Sequence, residues 1–297
     1  MYPQVSIIIL NWNGKKDTID CLESLKNITY PNYEILLVDN GSTDGSVDCF
    51  REQYPEIEII ENKENLGFAE GNNIAIRKIV KKETKYILLL NNDTVVDKRF
   101  LDELIKVAES NQNIGILGPT IYYYSQPNKI QSAGAKILWN KGRDSISRHN
   151  ELDVGEYNKI EEVDYVSGCA LLAKVEVFKK IGCLNKHYFA YWEETDLCIR
   201  AHDALYKVLY VPKAKIWHKG GSTSKKTNGF IQYHMTRNMF WFMKQHATRK
   251  QYISFLLYFF GFQFWFSSAI YIIHHKNINA FLSLLKGSMD GIKRIHR

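Results

Sequence analysis

Over the first hundred positions the apolar residues come in short runs, each stopped by a polar, glycine-bearing cluster. Val5 to Leu10 is a β-branched run that reads as a first buried strand. It ends in Asn11-Trp12-Asn13-Gly14, and a helical pattern follows to about Lys26. Tyr33 to Val38 reads as a second strand, closed by Asp39-Asn40-Gly41-Ser42-Thr43-Asp44-Gly45-Ser46, where Ser42 or Asp44 suits the cap of the next helix. Ile57 to Ile60 is a shorter third run, and Asn65-Leu66-Gly67-Phe68-Ala69-Glu70-Gly71-Asn72-Asn73 opens a helix reaching about Lys81. Tyr86 to Leu90 is the fourth. It stops at Asn91-Asn92-Asp93 and resumes with Thr94-Val95-Val96. Four alternations of strand and helix predict an α/β chain with a mostly parallel central sheet and flanking helices.

In such a sheet the βα loops all leave from one edge, outside the carboxyl ends of the strands, where ligands bind. Each cluster alone is ordinary turn chemistry. Three polar loops at one edge make a nucleotide-sized site, with Asp93 at its mouth, within reach of a metal or a phosphate. Neither G-x-G-x-x-G nor G-x-x-x-x-G-K-[ST] occurs, which argues against a dehydrogenase or a kinase.

From Ile114 the rhythm changes. Gly115 to Pro119 reads as a further strand, followed by Tyr122-Tyr123-Tyr124 and an irregular stretch through Glu162. Lys141 to Asn150 has the composition of an exposed loop, read as a spacer in preference to a lid. Val163 to Ala173 regains strand character, and a helix from Lys174 to Ile181 stops at Gly182. Ala190-Tyr191-Trp192-Glu193-Glu194-Thr195-Asp196 then opens another helix with three acids. Helix-dipole complementarity and an i,i+4 pair with Arg200 account for Asp196. Glu194, two residues earlier, lies about 200° round the helix, towards Tyr191 and Trp192, and is a candidate general base. Val208 to Val211 and Lys215 to Trp217 read as two short strands around Pro212, ending at His218-Lys219-Gly220-Gly221-Ser222. His218 is either structural or a ligand, and the glycines and hydroxyl after it suit a phosphate-facing loop.

Composition changes this picture little. The 297 residues are 45% hydrophobic and 24% charged, enough for one large α/β domain with an appendage. The net charge of +7 forms no nucleic-acid-binding stripe, but suits an anionic membrane surface or substrate. Five scattered cysteines, with no C-x-x-C pair, argue for a reducing compartment. The chain passes from Met1-Tyr2-Pro3 directly into strand sequence without a signal-peptide pattern, so a cytoplasmic location is expected.

Tyr252 to Ile273 holds no charged residue and matches the roughly 20 residues that span a bilayer. Arg249 and Lys250 precede it, and Lys276, Lys286, Lys293, Arg294 and Arg297 follow. A single pass would place that basic tail outside, against the positive-inside tendency. A helix in the membrane plane or re-entrant fits better, and an oligomer interface such as a homodimer contact is the third reading.

The ordered motifs from Val5 to about Lys244 resemble the family 2 inverting glycosyltransferases of the GT-A fold, especially the bacterial rhamnosyltransferase-like branch. The resemblance implies a catalytic domain over residues 1–246, with a nucleotide-binding half to about 118 and an acceptor half after it, and a membrane-associated helical region over 247–297. It puts Asn11, Asn13, Asp39, Asn40, Ser42, Asn65, Gly67, Gly71, Asn72, Asn91 and Asn92 on the nucleotide-sugar side. Asn91-Asn92-Asp93 stands where the family has D-x-D, and Asn-x-Asp is usual in this branch; the amide at 91 costs the motif one charge. Asp93 and His218 are then the implied metal ligands. Glu194 takes the catalytic-base position, with Glu193 as its alternative, and Arg237, with Tyr233 and Asn238, resembles a helix motif facing the diphosphate. The implied cofactor is a divalent cation, Mn²⁺ or Mg²⁺. The implied donor is a dTDP- or UDP-sugar, and the acceptor a glycan or lipid-linked glycan in surface polysaccharide synthesis at the cytoplasmic face of the plasma membrane. A nucleotidyltransferase, or a non-catalytic nucleotide-sugar-binding scaffold, is the competing reading.

Overall fold

A computed structural model describes residues 2–220 and 229–293. Gly221, Ser222, Arg294 and Arg297 therefore lie outside the described residues. In chain order the elements begin β1 (Val5–Asn11), α1 (Lys15–Leu25), β2 (Tyr33–Asp39), α2 (Ser46–Gln53), β3 (Glu58–Glu61), α3 (Gly67–Ile79), β4 (Tyr86–Asn91), β5 (Thr94–Val96), α4 (Phe100–Ala108). There follow β6 (Ile114–Tyr123), β7 (Gln126–Ser132), β8 (Ala135–Leu138), β9 (Arg143–Ile146), β10 (Glu161–Glu162), β11 (Ala170–Lys174), α5 (Val175–Ile181), α6 (Glu193–Asp203) and β12 (Lys207–His218). The chain closes with α7 (Phe230–His246), a 26-residue helix α8 (Arg249–His274) and α9 (Ile278–Ile292). They form two compact units: 1–135, 146–189 and 193–223 make the first, and 136–145, 190–192 and 224–297 the second.

The first unit is built on a sheet of order β10-β12-β6-β11-β4-β1-β2-β3, with β5 on β12 and β7 on β6. β3, β2, β1 and β4 run parallel, while β11 is antiparallel between β4 and β6. Register makes the parallel strands end together: Asn11 lies opposite Asp39, and Leu10 opposite Asn91. Ile7 to Leu10, Ile35 to Val38 and Ile87 to Leu90 are apolar at consecutive positions because both faces are covered there. Ile7 and Ile9 pack with Leu22, Phe50 and Phe100 on one face, and Ile8 with Ile76, Phe178 and Leu197 on the other.

Two expectations differ in detail. β12 is one strand, not two: its register against β6 jumps between Val211 and Lys215. Pro212 lacks an N–H to donate, so it sits in the resulting bulge, where Thr120 Oγ1 donates to its carbonyl at 3.1 Å. The expected spacer over 141–150 is partly the β8–β9 hairpin. Within the second unit Trp139 stacks on Phe242 at 5.6 Å, and a Cβ at Gly142 would lie 2.4 Å from the Phe255 ring, so side-chain packing orders a stretch that its composition leaves unassigned.

Gly67 opens α3 at φ 81°, and a Cβ there would lie 2.6 Å from the Phe189 carbonyl oxygen. Gly182 has the same φ, with nothing within 4 Å. Gly182→Ala should cost backbone strain alone, about 1–3 kcal/mol. Gly67→Ala should cost more by about 1 kcal/mol or above, because the clash is with backbone. Urea unfolding midpoints of the two variants check this order.

Candidate active site

The flush ends of β1, β2 and β4 bring three loops together, and the side chain of Asn11 joins them. Fully buried, Asn11 donates through Nδ2 to Asp39 Oδ1 at 2.8 Å and to Ser42 Oγ at 3.1 Å. Its Oδ1 accepts from Thr18 Oγ1 at 2.9 Å and from Asn92 Nδ2 at 3.3 Å. Ser42 Oγ also accepts from the Asn13 N–H, while Asn13 Oδ1 accepts from Thr43 N–H, both at 2.8 Å. Asp39 Oδ2 takes the Ser42 N–H.

A second amide, Asn40, does the same one loop further out. Its Nδ2 donates to Asn65 Oδ1 at 2.9 Å and to the Gly67 carbonyl at 3.1 Å. Gly71 is glycine because a Cβ would lie 2.7 Å from Leu10 Cδ1 and 3.2 Å from Asn40 Nδ2. Asn72 stays out of this network: buried, it donates to Phe68 O in its own helix. Its neighbour Asn73 exchanges two hydrogen bonds with the Leu184 backbone, at 2.8 and 3.0 Å. The sequence signals Asn73 only as the last member of a polar loop.

Asp93 and His218 meet as β5 pairs with β12: Asp93 Oδ1 is 3.1 Å from His218 Nε2. His218 Nδ1 faces Gln131 Oε1 at 3.0 Å, an oxygen that can only accept. The ring therefore donates from Nδ1 and turns Nε2 towards the carboxylate, the orientation a ligating histidine needs. Gln131 is a residue that the sequence does not announce, since it lies on a polar edge strand. Burial works against a charged His218, but Cys169 and Asp93 outweigh it and hold the pKa well above the usual histidine value. Among the described residues no cluster of three or more His, Cys, Asp or Glu could hold a metal ion. The donor set on hand is one carboxylate and one oriented imidazole, which suits a divalent cation whose remaining ligands come from phosphate oxygens and water. Asn91 ends β4 half-buried, and its N–H bonds Cys169 O at 2.9 Å.

The acidic pair divides. Asp196, wholly buried, holds Arg200 at 2.7 Å, and that guanidinium also donates to the Ile181 and Cys183 carbonyls. Glu194 is half-buried, its Oε1 3.5 Å from the Gly168 N–H, one residue before Cys169. Glu193 is buried at 4% exposure, and its Oε2 has no hydrogen-bond partner among the described residues. Burial, and then the neighbouring Glu194 carboxylate, push the Glu193 pKa well above the usual carboxylate range. A carboxyl that keeps its proton is a poor base, so Glu194 is the better candidate.

The residues before this pair adopt a costly backbone: Phe189, Tyr191 and Trp192 have φ of 66°, 70° and 77°. In the second unit Asn238, fully buried, donates to both Ala190 O and Tyr191 O at 2.8 Å. Arg237 beside it donates to Asn238 Oδ1 at 2.9 Å and lies 4.2 Å from the Trp241 ring centroid.

Known proteins resemble this chain. The family model for glycosyl transferase family 2 matches residues 6–182. An N-acetylglucosaminyl-diphospho-decaprenol L-rhamnosyltransferase of Mycobacterium tuberculosis is 26% identical over 248 residues, covering 76% of this chain and 80% of its own. The low-salt glycan biosynthesis hexosyltransferase Agl10 of Haloferax volcanii is 28% identical over 203 residues, 68% of this chain and 62% of its own. Among solved structures, S. aureus TarS 1-349 with UDP-GlcNAc has a TM-score of 0.62 at 12% identity, over 98% of this chain and 82% of that one. The mannosyltransferase PcManGT of Pyrobaculum calidifontis with GDP-Man and Mn²⁺ has 0.61 at 12%, over 98% and 88%. The fold is GT-A, and the chain belongs to glycosyl transferase family 2.

Glu193 gives a stability test. The unfolded chain releases this proton near pH 4.5, whereas the folded chain retains it, so stability falls as pH rises from there towards the raised folded pKa. Glu193→Gln removes that loss. It should unfold at higher urea than wild type at pH 7, with the difference closing as pH falls to 4, and should keep turnover.

Proposed function

We propose that this family 2 glycosyltransferase transfers a sugar, with inversion, from a nucleoside-diphosphate sugar to a saccharide or lipid-linked acceptor in surface polysaccharide synthesis at the cytoplasmic face of a membrane. In this reading residues 1–246 are the catalytic domain and 247–297 its membrane-associated region. The observation that carries it is the pairing of Asp93 with His218 at 3.1 Å, at the edge where β1, β2 and β4 end and the Asn11 network closes their loops. Relatives named for rhamnosyl and hexosyl transfer support the reaction class.

The roles follow from chemistry. Asn11, Asn13, Asp39, Asn40 and Ser42 form the floor beneath the nucleoside, with Asn65, Gly67 and Gly71 fixing the adjoining loop. The side chain of Asn72 turns into its helix, so any part it plays is through the backbone of α3. Asn91 offers an amide to ribose or phosphate oxygens without adding charge, while Asn92, whose Nδ2 donates to Asn11 Oδ1 and Thr18 Oγ1, serves the nucleotide side by holding its loop. Asp93 and His218 are the residues that hold a divalent cation, Mn²⁺ fitting the histidine better than Mg²⁺. When bound, such an ion supplies Lewis-acid neutralisation of the charge that develops on the leaving diphosphate. Arg237 is a further cation for that charge. Glu194 accepts the acceptor hydroxyl proton as the oxygen attacks the anomeric carbon from the face opposite the leaving group. One displacement with one base inverts the configuration.

Glu194→Gln should lower transfer by about 10²–10⁴-fold, the usual worth of a general base, while nucleotide-sugar binding stays within a few-fold of wild type. Retained turnover refutes the assignment. A panel of dTDP- and UDP-sugars with Mn²⁺, read by release of dTDP or UDP, identifies the donor; no release from any of them, under conditions where the chain binds nucleotide, refutes the transferase reading.

A further inference from the structure

α9 packs the wrong way round for a helix that ends in water. Against α7 it buries its small residues: Ala280, Gly287, Ser288 and Gly291, with Leu284 the one large exception. A Cβ on Gly287 would lie 2.7 Å from Tyr233 O, and one on Gly291 would lie 2.7 Å from Phe240 Cβ, so the two helices touch almost backbone to backbone. The large residues face outward. Ile278, Leu282, Leu285, Met289 and Ile292 are 56, 51, 37, 55 and 47% exposed. Their spacing of four, three, four and three residues makes them one continuous stripe. α8 adds Leu257, Phe262, Trp265, Phe266 and Ile273, all more than half exposed, and only 11% of its apolar window is buried. A soluble surface does not carry this much contiguous apolar area without an occupant.

The charge on the segment chooses the occupant. Residues 247–297 hold seven Lys and Arg against one acid, Asp290, so nearly all of the chain's net +7 resides there. A second copy of the chain would bring a segment of the same net charge, and the two would repel. An anionic lipid surface attracts it.

The packing of α8 decides how that surface is met. Phe240 of α7 lies 5.1 and 4.8 Å from the rings of Phe255 and Phe259, and Tyr271, near the far end of α8, hydrogen-bonds the Gln232 side chain. α8 therefore runs back antiparallel along α7, and α9 returns on the same helix. Spanning would take Gln232, Arg237, Asn238 and Lys244 of α7 into the hydrocarbon with it, at a cost that neither α8 nor the stripe offsets.

We infer that α8 and α9 together form a two-helix platform that lies in the plane of an anionic bilayer surface, inserting the α9 stripe and the exposed α8 aromatics to the depth of the headgroups without crossing. This deepens the membrane association proposed above and rests on it, but does not depend on which sugar is moved. The full chain is tested by co-sedimentation with phosphatidylcholine vesicles, with and without phosphatidylglycerol, and by carbonate extraction of membranes from expressing cells. Wild type should pellet with the anionic vesicles, lose binding in high salt, and be released by carbonate. Leu282→Gln/Leu285→Gln/Met289→Gln, whose side chains are exposed, should bind about tenfold more weakly or worse while keeping its melting temperature and its nucleotide binding. Retention in the carbonate pellet shows spanning and overturns the in-plane placement. Unchanged vesicle binding by the triple variant removes α9 from the platform. A wild-type dimer that the variant abolishes, without vesicle binding by either, makes the occupant a second copy and also overturns the inference. Loss of transfer with vesicle binding intact counts against the catalytic assignment alone.

Discussion

The first unit depends on a single buried amide being where two strands end. Asn11 is the last residue of β1, opposite Asp39 at the end of β2, and its side chain has donors on one atom and an acceptor on the other. An amide can satisfy a carboxylate and a hydroxyl with Nδ2 while Oδ1 takes Thr18 and Asn92; Asp or Leu there could not. Buried polar groups that are fully paired rigidify their surroundings, and unpaired ones are costly. The loops after β1, β2 and β4 are thus tied by the same atoms, and the edge of the sheet becomes a preformed surface. Asp93 inherits its position from that arrangement.

Much of this was legible in the sequence, for a physical reason. Where both faces are covered a strand is apolar at consecutive positions, so β1, β2 and β4 stand out by their runs Ile7 to Leu10, Ile35 to Val38 and Ile87 to Leu90 with polar stops, and a parallel sheet places those stops at one edge. The family resemblance then named Asp93 and His218 together, and the structure brings them to 3.1 Å. What stayed hidden is what depends on non-local pairing. Pro212 looks like a break, yet a bulge absorbs it, since β6 can pair with β12 on either side. Gln131 is unremarkable on a polar edge strand until β7 pairs with β6, which also pairs with His218 through β12. Asn72 and Asn73 look alike in sequence. Only the packing of α3 sends one to its own helix and the other to Leu184.

Adjacent identical side chains also part company. Glu193 and Glu194 differ by one helical step of about 100°, enough to bury the first and leave the second half-exposed. Two neighbouring carboxyls do not ionise equally well, and the desolvated one is the one that keeps its proton. One proton held on Glu193 spares Glu194 a neighbouring negative charge. The pair therefore has a built-in asymmetry that no substitution matrix would read from two consecutive glutamates. The left-handed backbone at Tyr191 and Trp192 sets the start of α6, and the two hydrogen bonds from Asn238 help to hold it against strain of about 1–3 kcal/mol per residue.

The same reasoning explains why the C-terminal helices resist a reading from sequence. A hydrophobic stripe says that one face of a helix will be covered, and the usual inference is that the core covers it. In α9 the opposite face is lined by Gly287, Ser288 and Gly291, which a pattern of apolar spacing scores as neutral. Small residues let two backbones approach closely, so dispersion contacts replace side-chain burial, and the stripe is released for another use. The uncharged stretch from Tyr252 to Ile273 meets the length criterion for a span, but length is a property of the segment, whereas spanning is a property of what the segment is packed against. Because α8 lies along α7, whose own residues include Arg237 and Asn238, its apolar surface is available only from the side.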